Sequence, residues 1–189
     1  NVNIVSGKFT QTTYNPLWEF VLPIGLSFHT FQAMSYTIEV YRGNQKVEKN
    51  FGIYALYVMF YPQLVAGPIE RPQNILHQFY EKKNFDYQLV KSGLRLMLWG
   101  MFKKVVIADN LALFVDKVYG PDMHNFYGFP LILATVFYSL QILLDFSGYS
   151  DIAIGSARVM GFDLMKNFDR PYSSKSISEF WRRWHMSLS

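Results

Sequence analysis

Met123-His-Asn-Phe-Tyr-Gly-Phe-Pro-Leu-Ile-Leu-Ala-Thr-Val-Phe-Tyr-Ser-Leu-Gln-Ile-Leu-Leu144 runs for 22 residues without an Asp, Glu, Lys or Arg. About 20 apolar residues span a bilayer as a helix, so 124–146 reads as a membrane-spanning helix. Two more uncharged windows lie upstream, Phe20–Ile38 and Phe51–Ile69, of 19 residues each. Three such windows in 189 residues leave little amphipathic surface to cover them in a water-soluble domain. Only 17% of the chain is charged, against about a quarter in ordinary globular chains. The mean hydropathy of +0.05 understates the apolar bulk, because Tyr, Trp and Pro score as polar or neutral on such scales. Half the residues are apolar, which excludes a disordered chain. The absence of Cys excludes a disulfide scaffold, a thiolate zinc site and a Cys nucleophile. The expected fold class is therefore all-α: a polytopic transmembrane helical protein with kinked helices and an interfacial amphipathic helix.

The kinks are expected where the upstream windows are interrupted. The first holds Pro23, Gly25 and His29, the second Pro62, Gly67 and Pro68. Proline removes an amide donor, and broken helices at membrane depth persist where protein or a water-filled cavity satisfies the freed backbone. Along the chain, 1–15 reads as a loop, 17–41 as a kinked helix, 42–50 as a solvated loop and 51–66 as a second helix. A loop at 67–88 holds a short helix near Ile75–Tyr80. Then come a long helix over 89–119 stopped by Gly120-Pro121, the spanning helix 124–146, a helix over 148–162 ended by Gly161, and a last helix from Ser176. There is no signal-peptide pattern, and the chain reads as an internal piece of a longer protein.

Loop 42–50 carries three Lys/Arg, and 70–95 carries five. The positive-inside rule wants both on the cytoplasmic side, whereas a single crossing by 51–66 would separate them. Either 51–69 is re-entrant, or one basic stretch lies against protein or outside. The net charge of +4 is spread over loops flanking apolar segments, which fits anionic lipid headgroups rather than nucleic acid.

Residues 145–161 place Asp145, Ser147, Tyr149 and Asp151 beside a membrane span, where acids are costly unless paired or facing a cavity. Asp151 and Arg158 are two turns apart, too far for a ready pair. Ala153, Ala157 and Gly161 recur every fourth residue, the small-residue face that lets membrane helices approach. The segment reads equally as helix-packing glue and as the wall of a polar tunnel. Gly148-Tyr-Ser150 is not a nucleophile elbow, since position 152 is Ile. Ser176-Ile-Ser-Glu179 matches a capping box. On the helix it opens, Ile177, Phe180, Trp181, Trp184 and Leu188 form an apolar stripe, with Arg182 and Arg183 opposite as headgroup anchors. His185 sits at the border of that stripe, where a proton-transfer group and a structural His both fit. His29 lies inside a window and is equally open, while His77 and His124 sit in loop-like stretches. No two His occupy i, i+3 or i, i+4 positions, so no metal site is expected from them.

Four ordered blocks carry a resemblance. They are Leu22–Phe28 with Tyr36–Arg42, Tyr61-Pro-Gln-Leu-Val-Ala-Gly-Pro-Ile-Glu-Arg-Pro72, Asp145-Phe-Ser-Gly-Tyr-Ser-Asp151, and Asn167-Phe-Asp-Arg-Pro-Tyr172 through Phe180-Trp-Arg-Arg-Trp-His-Met-Ser-Leu-Ser189. Together they resemble the membrane-bound O-acyltransferase family, in its bacterial alginate O-acetyltransferase branch, with the D-alanyl transfer proteins of teichoic acid modification more distant. The resemblance implies that 1–189 is one partial transmembrane domain of that family, lacking its C-terminal part and a further downstream His. It implies a tunnel in the bacterial cytoplasmic (inner) membrane where a thioester donor meets a hydroxyl acceptor. The donor would be acetyl-CoA or an acyl carrier protein. The acceptor would be an exported polysaccharide, alginate among them, its carrier, or a periplasmic acetyltransferase partner. It places His185 at the family's functional His. Asp145, Ser147, Tyr149, Asp151, Asn167, Arg182 and Trp184 are the candidate tunnel residues. Membrane lipids are expected as partners, and no redox cofactor, metal or nucleic acid is implied. The rival reading is a transporter or channel component, which shares broken helices and intramembrane polar groups.

Overall fold

The computed structural model describes residues 2–5, 8–11, 26–64, 67–121 and 123–188. The region read as a loop over 1–15 instead contains an antiparallel hairpin, β1 (Val2–Val5) with β2 (Lys8–Gln11). After it, the described residues form helices joined by turns and irregular stretches. The order is α1 (Leu26–Tyr41), α2 (Phe51–Val58), α3 (Pro72–Ile75), α4 (Tyr87–Met101), α5 (Asp109–Tyr119), α6 (Phe129–Val159) and α7 (Ile177–Arg183). The expected kink at Pro23 and Gly25 lies outside the described residues.

Three expectations about the helices change. First, 51–66 is not one helix. Helix α2 has 8 residues and stops at Met59, and a 3-10 turn at Tyr61–Gln63 follows, with Pro62 in its first turn. At 1.5 Å per residue α2 is about 12 Å long, less than half a hydrocarbon layer. Its end is fastened into a protein core instead. Tyr57 and Phe60 are buried with Ile75, Leu76, Ile154, Ala157 and Leu164. Phe60 meets the edges of Phe79 and Phe162 at ring distances of 5.3 and 5.0 Å.

Second, 124–146 and 148–162 are one helix. The 31 residues of α6 run through Gly148, because that glycine serves a close approach rather than a break. A Cβ on Gly148 would lie 2.8 Å from the Gly100 carbonyl oxygen, and one on Gly155 would lie 2.7 Å from that of Gly93. The two glycine pairs are seven residues apart on each helix and run in opposite order, so α4 and α6 pack antiparallel. This contact, rather than the stripe of Ala153, Ala157 and Gly161, sets the helix separation. Ala157 is buried in the α2–α3 core, and Gly161 closes α6 at φ +83°. Among the described residues α6 is the one helix long and apolar enough to cross a membrane, which supports integration into the bilayer and leaves the expected polytopic arrangement without direct support. Its N-terminal half presents apolar side chains at the surface, with Phe129, Ile132 and Val136 exposed.

Third, 89–119 is interrupted. A π-helical stretch, Phe102–Ala108, separates α4 from α5. Such stretches are rare and often mark functional sites. This one brings Lys103 and Lys104 over α6.

Candidate functional site around His185

Helix α7 begins as expected, with the Glu179 N–H donating to Ser176 Oγ at 3.1 Å. The returning carboxylate bond goes one residue further out, from the Lys175 N–H to Glu179 Oε2 at 2.8 Å. The helix ends sooner than the apolar stripe implies. Trp184 is extended, so His185 and Leu188 lie beyond the helix rather than on its border. The cause is the segment carrying Asn167. The Asp169 N–H captures the Arg183 carbonyl at 3.0 Å, the Met186 N–H donates to the Asn167 carbonyl at 2.9 Å, and the Ser187 N–H turns to Asn167 Oδ1 at 3.4 Å. Those are groups a continuing helix would have used internally. The chain turns over His185–Leu188, closed by a 2.9 Å bond from the Leu188 N–H to the His185 carbonyl.

His185 occupies the left-handed region, with φ +48°; Arg170 at +46° is the other described residue besides glycine with positive φ. Such a conformation costs about 1–3 kcal/mol and persists where its surroundings over-determine it, most often at functional sites. Here they do so from two sides. The imidazole edge meets the Phe146 ring of α6 at 4.8 Å, and Phe146 in turn meets Phe168 at 5.0 Å. On the polar side Ser187 Oγ donates to Asn167 Oδ1 at 2.9 Å and lies 3.4 Å from His185 Nδ1. Asn167, 1% exposed, donates its Nδ2 proton to Ser150 Oγ of α6 at 3.2 Å. The Ser187 proton is committed to Asn167, so its oxygen accepts from His185 Nδ1–H. This network assigns the neutral tautomer with Nε2 carrying the lone pair. Burial holds the His185 pKa below the ordinary histidine value, partly opposed by its own backbone, so the neutral, proton-accepting form is favoured near pH 7.

One turn away along α6, the acids beside the membrane span are paired. Lys103 reaches Asp151 at 2.6 Å and donates to Ser147 Oγ at 3.1 Å. Lys104 reaches Asp145 at 2.6 Å and lies 5.0 Å above the Tyr149 ring. The structure thus gathers His185, Asn167, Asp145, Ser147, Tyr149 and Asp151 along one stretch of α6 and its cover. Trp184 belongs to the apolar cover, stacked 5.5 Å from Phe180 and edge-on to Phe168 at 5.2 Å. Arg182 is not brought in: it is exposed, and its Nε donates to the Ser178 carbonyl of its own helix. His29 lines a separate small cavity with Phe28, Gln32, Gln63 and Pro68. Its Nε2 has no hydrogen-bond partner among the described residues.

Sequence reading missed Ser187, Ser150 and the two lysines, and it missed Glu70. That carboxyl is fully buried, accepting from the Met165 N–H and from Asn74 Nδ2 at 3.3 Å. Its backbone carbonyl accepts from Tyr57 and Gln32 at 2.9 and 3.1 Å. Burial pushes Glu70 up to about 7, against the lowering effect of its two donors. Nearby, Gln78 exchanges two bonds with the Asp163 backbone, at 3.0 and 2.9 Å. Glu70 and Gln78 together fasten the segment that presents Asn167. Only the motif around Pro72 marked this region, and nothing in it distinguished Glu70 from a solvated acid.

Residues 49–189 match the profile of the membrane-bound O-acyltransferase family, MBOAT. The chain is 43% identical over 173 residues to the probable alginate O-acetylase AlgI of Pseudomonas aeruginosa, covering 92% of this chain and 33% of that protein. It is 36% identical over 215 residues to the peptidoglycan O-acetyltransferase of Helicobacter pylori, covering 96% and 40%. It is 27% identical over 183 residues to the teichoic acid D-alanyltransferase of Bacillus subtilis, covering 93% and 45%. The chain therefore spans about a third of the length of the alginate O-acetylase it matches.

Proposed function

Because this chain belongs to the membrane-bound O-acyltransferase family, we propose that His185 is the general base of an O-acyltransferase in the bacterial inner membrane. The acyl group is acetyl, moved from a thioester donor, acetyl-CoA or an acyl carrier protein, to a hydroxyl of an exported polysaccharide or of its carrier. The likeness to an alginate O-acetylase favours an alginate-type polymer. One observation carries the reading: the relay from His185 Nδ1 through Ser187 to Asn167, which leaves Nε2 as the proton acceptor.

In the reaction, Nε2 removes the acceptor hydroxyl's proton as its oxygen attacks the thioester carbonyl. A C–O bond forms, the C–S bond breaks, and the proton passes from the imidazolium to the leaving thiolate. Ser187 and Asn167 hold the ring while it is charged, and a positioned His contributes about 10²–10⁴-fold. Phe146 and Phe168 keep water from that side of the ring. Lys103 and Lys104 pair with Asp151 and Asp145, so neither carboxylate stands as an unpaired charge beside the membrane span.

The test is transfer of labelled acetyl by membranes carrying the full-length protein. The expected result is label in ester linkage to an acceptor. Labelled acetyl that crosses the membrane without changing its covalent partner would support the transporter reading instead.

A further inference from the structure

A second polar site lies at the other end of the α4–α6 contact. A groove of about 370 Å³ opens between them, lined by Gln88, Lys91, Ser92, Arg95 and Trp99 of α4 and by Arg158 of α6. Three cations converge on it and no acid lines it. Among the described residues none of the three makes an ion pair, whereas Lys103, Lys104, Lys83, Arg42 and Arg183 all do. Lys91 lies over the Tyr87 ring, at 6.0 Å.

The glycine register gives the groove its depth in the bilayer. Helix α6, at 1.5 Å per residue, is about 46 Å long and outruns a hydrocarbon layer of about 30 Å. Counting about 20 residues from Phe129 puts the far hydrocarbon edge near Gly148. Gly100 faces Gly148, so Trp99 stands at that edge, the level Trp favours. Gly93 faces Gly155, so Arg95 and Lys91 stand one and two turns further out, level with the approach to Arg158. Below the cations, Leu98, Trp99 and Phe102 are exposed. A cationic groove at headgroup height above an exposed apolar strip has the polarity of one phospholipid.

We propose that this groove binds the phosphate of an anionic glycerophospholipid, its acyl chains lying along Leu98, Trp99 and Phe102. The ligand chemistry is a phosphate ester, and the lipid is its source, because the apolar strip continues the groove on the side that faces hydrocarbon. The site is independent of the acyl-transfer reading, since none of its residues belongs to the His185 set.

The full-length protein in neutral detergent is titrated with phosphatidylglycerol or phosphatidylcholine, and retained lipid is counted by native mass spectrometry. Three convergent cations predict about a hundredfold tighter retention of phosphatidylglycerol in the native protein than in K91Q/R95Q/R158Q. A control, K46Q/K49Q/K82Q, removes the same charge elsewhere and should retain the lipid. Arg95→Gln alone alters an exposed side chain that has no hydrogen bond or ion pair among the described residues and should lose about fivefold, which keeps the test valid if the triple variant folds poorly. Equal retention by native and groove variants would overturn the proposal. So would phosphatidylcholine binding as well as phosphatidylglycerol, or displacement of the lipid by millimolar inorganic phosphate or coenzyme A.

Discussion

Gly148→Ala is the smallest change that strikes both the fold and the site. The new Cβ would lie 2.8 Å from the Gly100 carbonyl oxygen and 3.3 Å from the backbone nitrogen and Cβ of Lys104. Ordinary contact begins at 3.4 Å, so α4 and α6 must part by about 0.6 Å, and the obstacle is backbone that cannot rotate away. Overpacking of this kind costs about 1–3 kcal/mol. The displacement falls on the π-helical stretch that holds Lys103 and Lys104 at 2.6 Å from Asp151 and Asp145, so those pairs lengthen as well. The full-length variant in detergent should unfold at lower denaturant by that amount. Gly100→Ala should do the same, its Cβ meeting the Gly148 oxygen at 2.6 Å. The double variant should cost less than the sum, because one separation relieves both clashes. Unchanged stability for Gly148→Ala, or strict additivity in the double variant, would refute the glycine contact as what sets the helix spacing.

Lys103→Met should destabilise by roughly 3 kcal/mol, since it leaves Asp151 half-enclosed without its cation. Adding Asp151→Leu should restore most of that loss in the same unfolding assay. Glu70 should make stability fall as pH rises. Its folded-state pKa of about 7 exceeds the ordinary 4.5, so its contribution is complete below 4.5 and is lost through about 7, a change of about 3 kcal/mol. Glu70→Gln should flatten that slope between pH 5 and 8, and an unchanged slope would place the titration elsewhere. Asn167→Ala should leave α6 inserted but lower acyl transfer more than protein abundance, because it releases Ser150, Ser187 and the turn at His185 together.

The helical class, the membrane span and the cap at Ser176 were legible because each rests on local pattern: an uncharged run, or an oxygen three residues before a carboxylate. What failed was pattern overruled by packing. Phe51–Ile69 has the composition of a span, but Pro62 and Pro68 divide it and the α3 core claims Tyr57 and Phe60. Gly148 looks like a break, yet its missing side chain is what allows continuous helices to touch. At the site, His185, Asn167 and the acids stood out by residue type and by family resemblance. Their partners did not. Lys103 and Ser147 are 44 residues apart and Glu70 and Met165 are 95, with no periodicity linking them. The end of α7 at Arg183 was equally hidden, since it depends on backbone donors and acceptors of 167–169 that no side-chain pattern records.

The account turns on His185 Nε2 as the proton acceptor, and the most direct measurement is acyl transfer by His185→Gln in the full-length protein at matched membrane abundance. Gln can keep a hydrogen bond to Ser187 and a side chain against Phe146, but it cannot take a proton near neutral pH. The account predicts normal insertion with transfer reduced by about 10²-fold or more. Full transfer by the Gln variant at normal abundance would contradict it, and the base would then have to be sought in a residue other than His185.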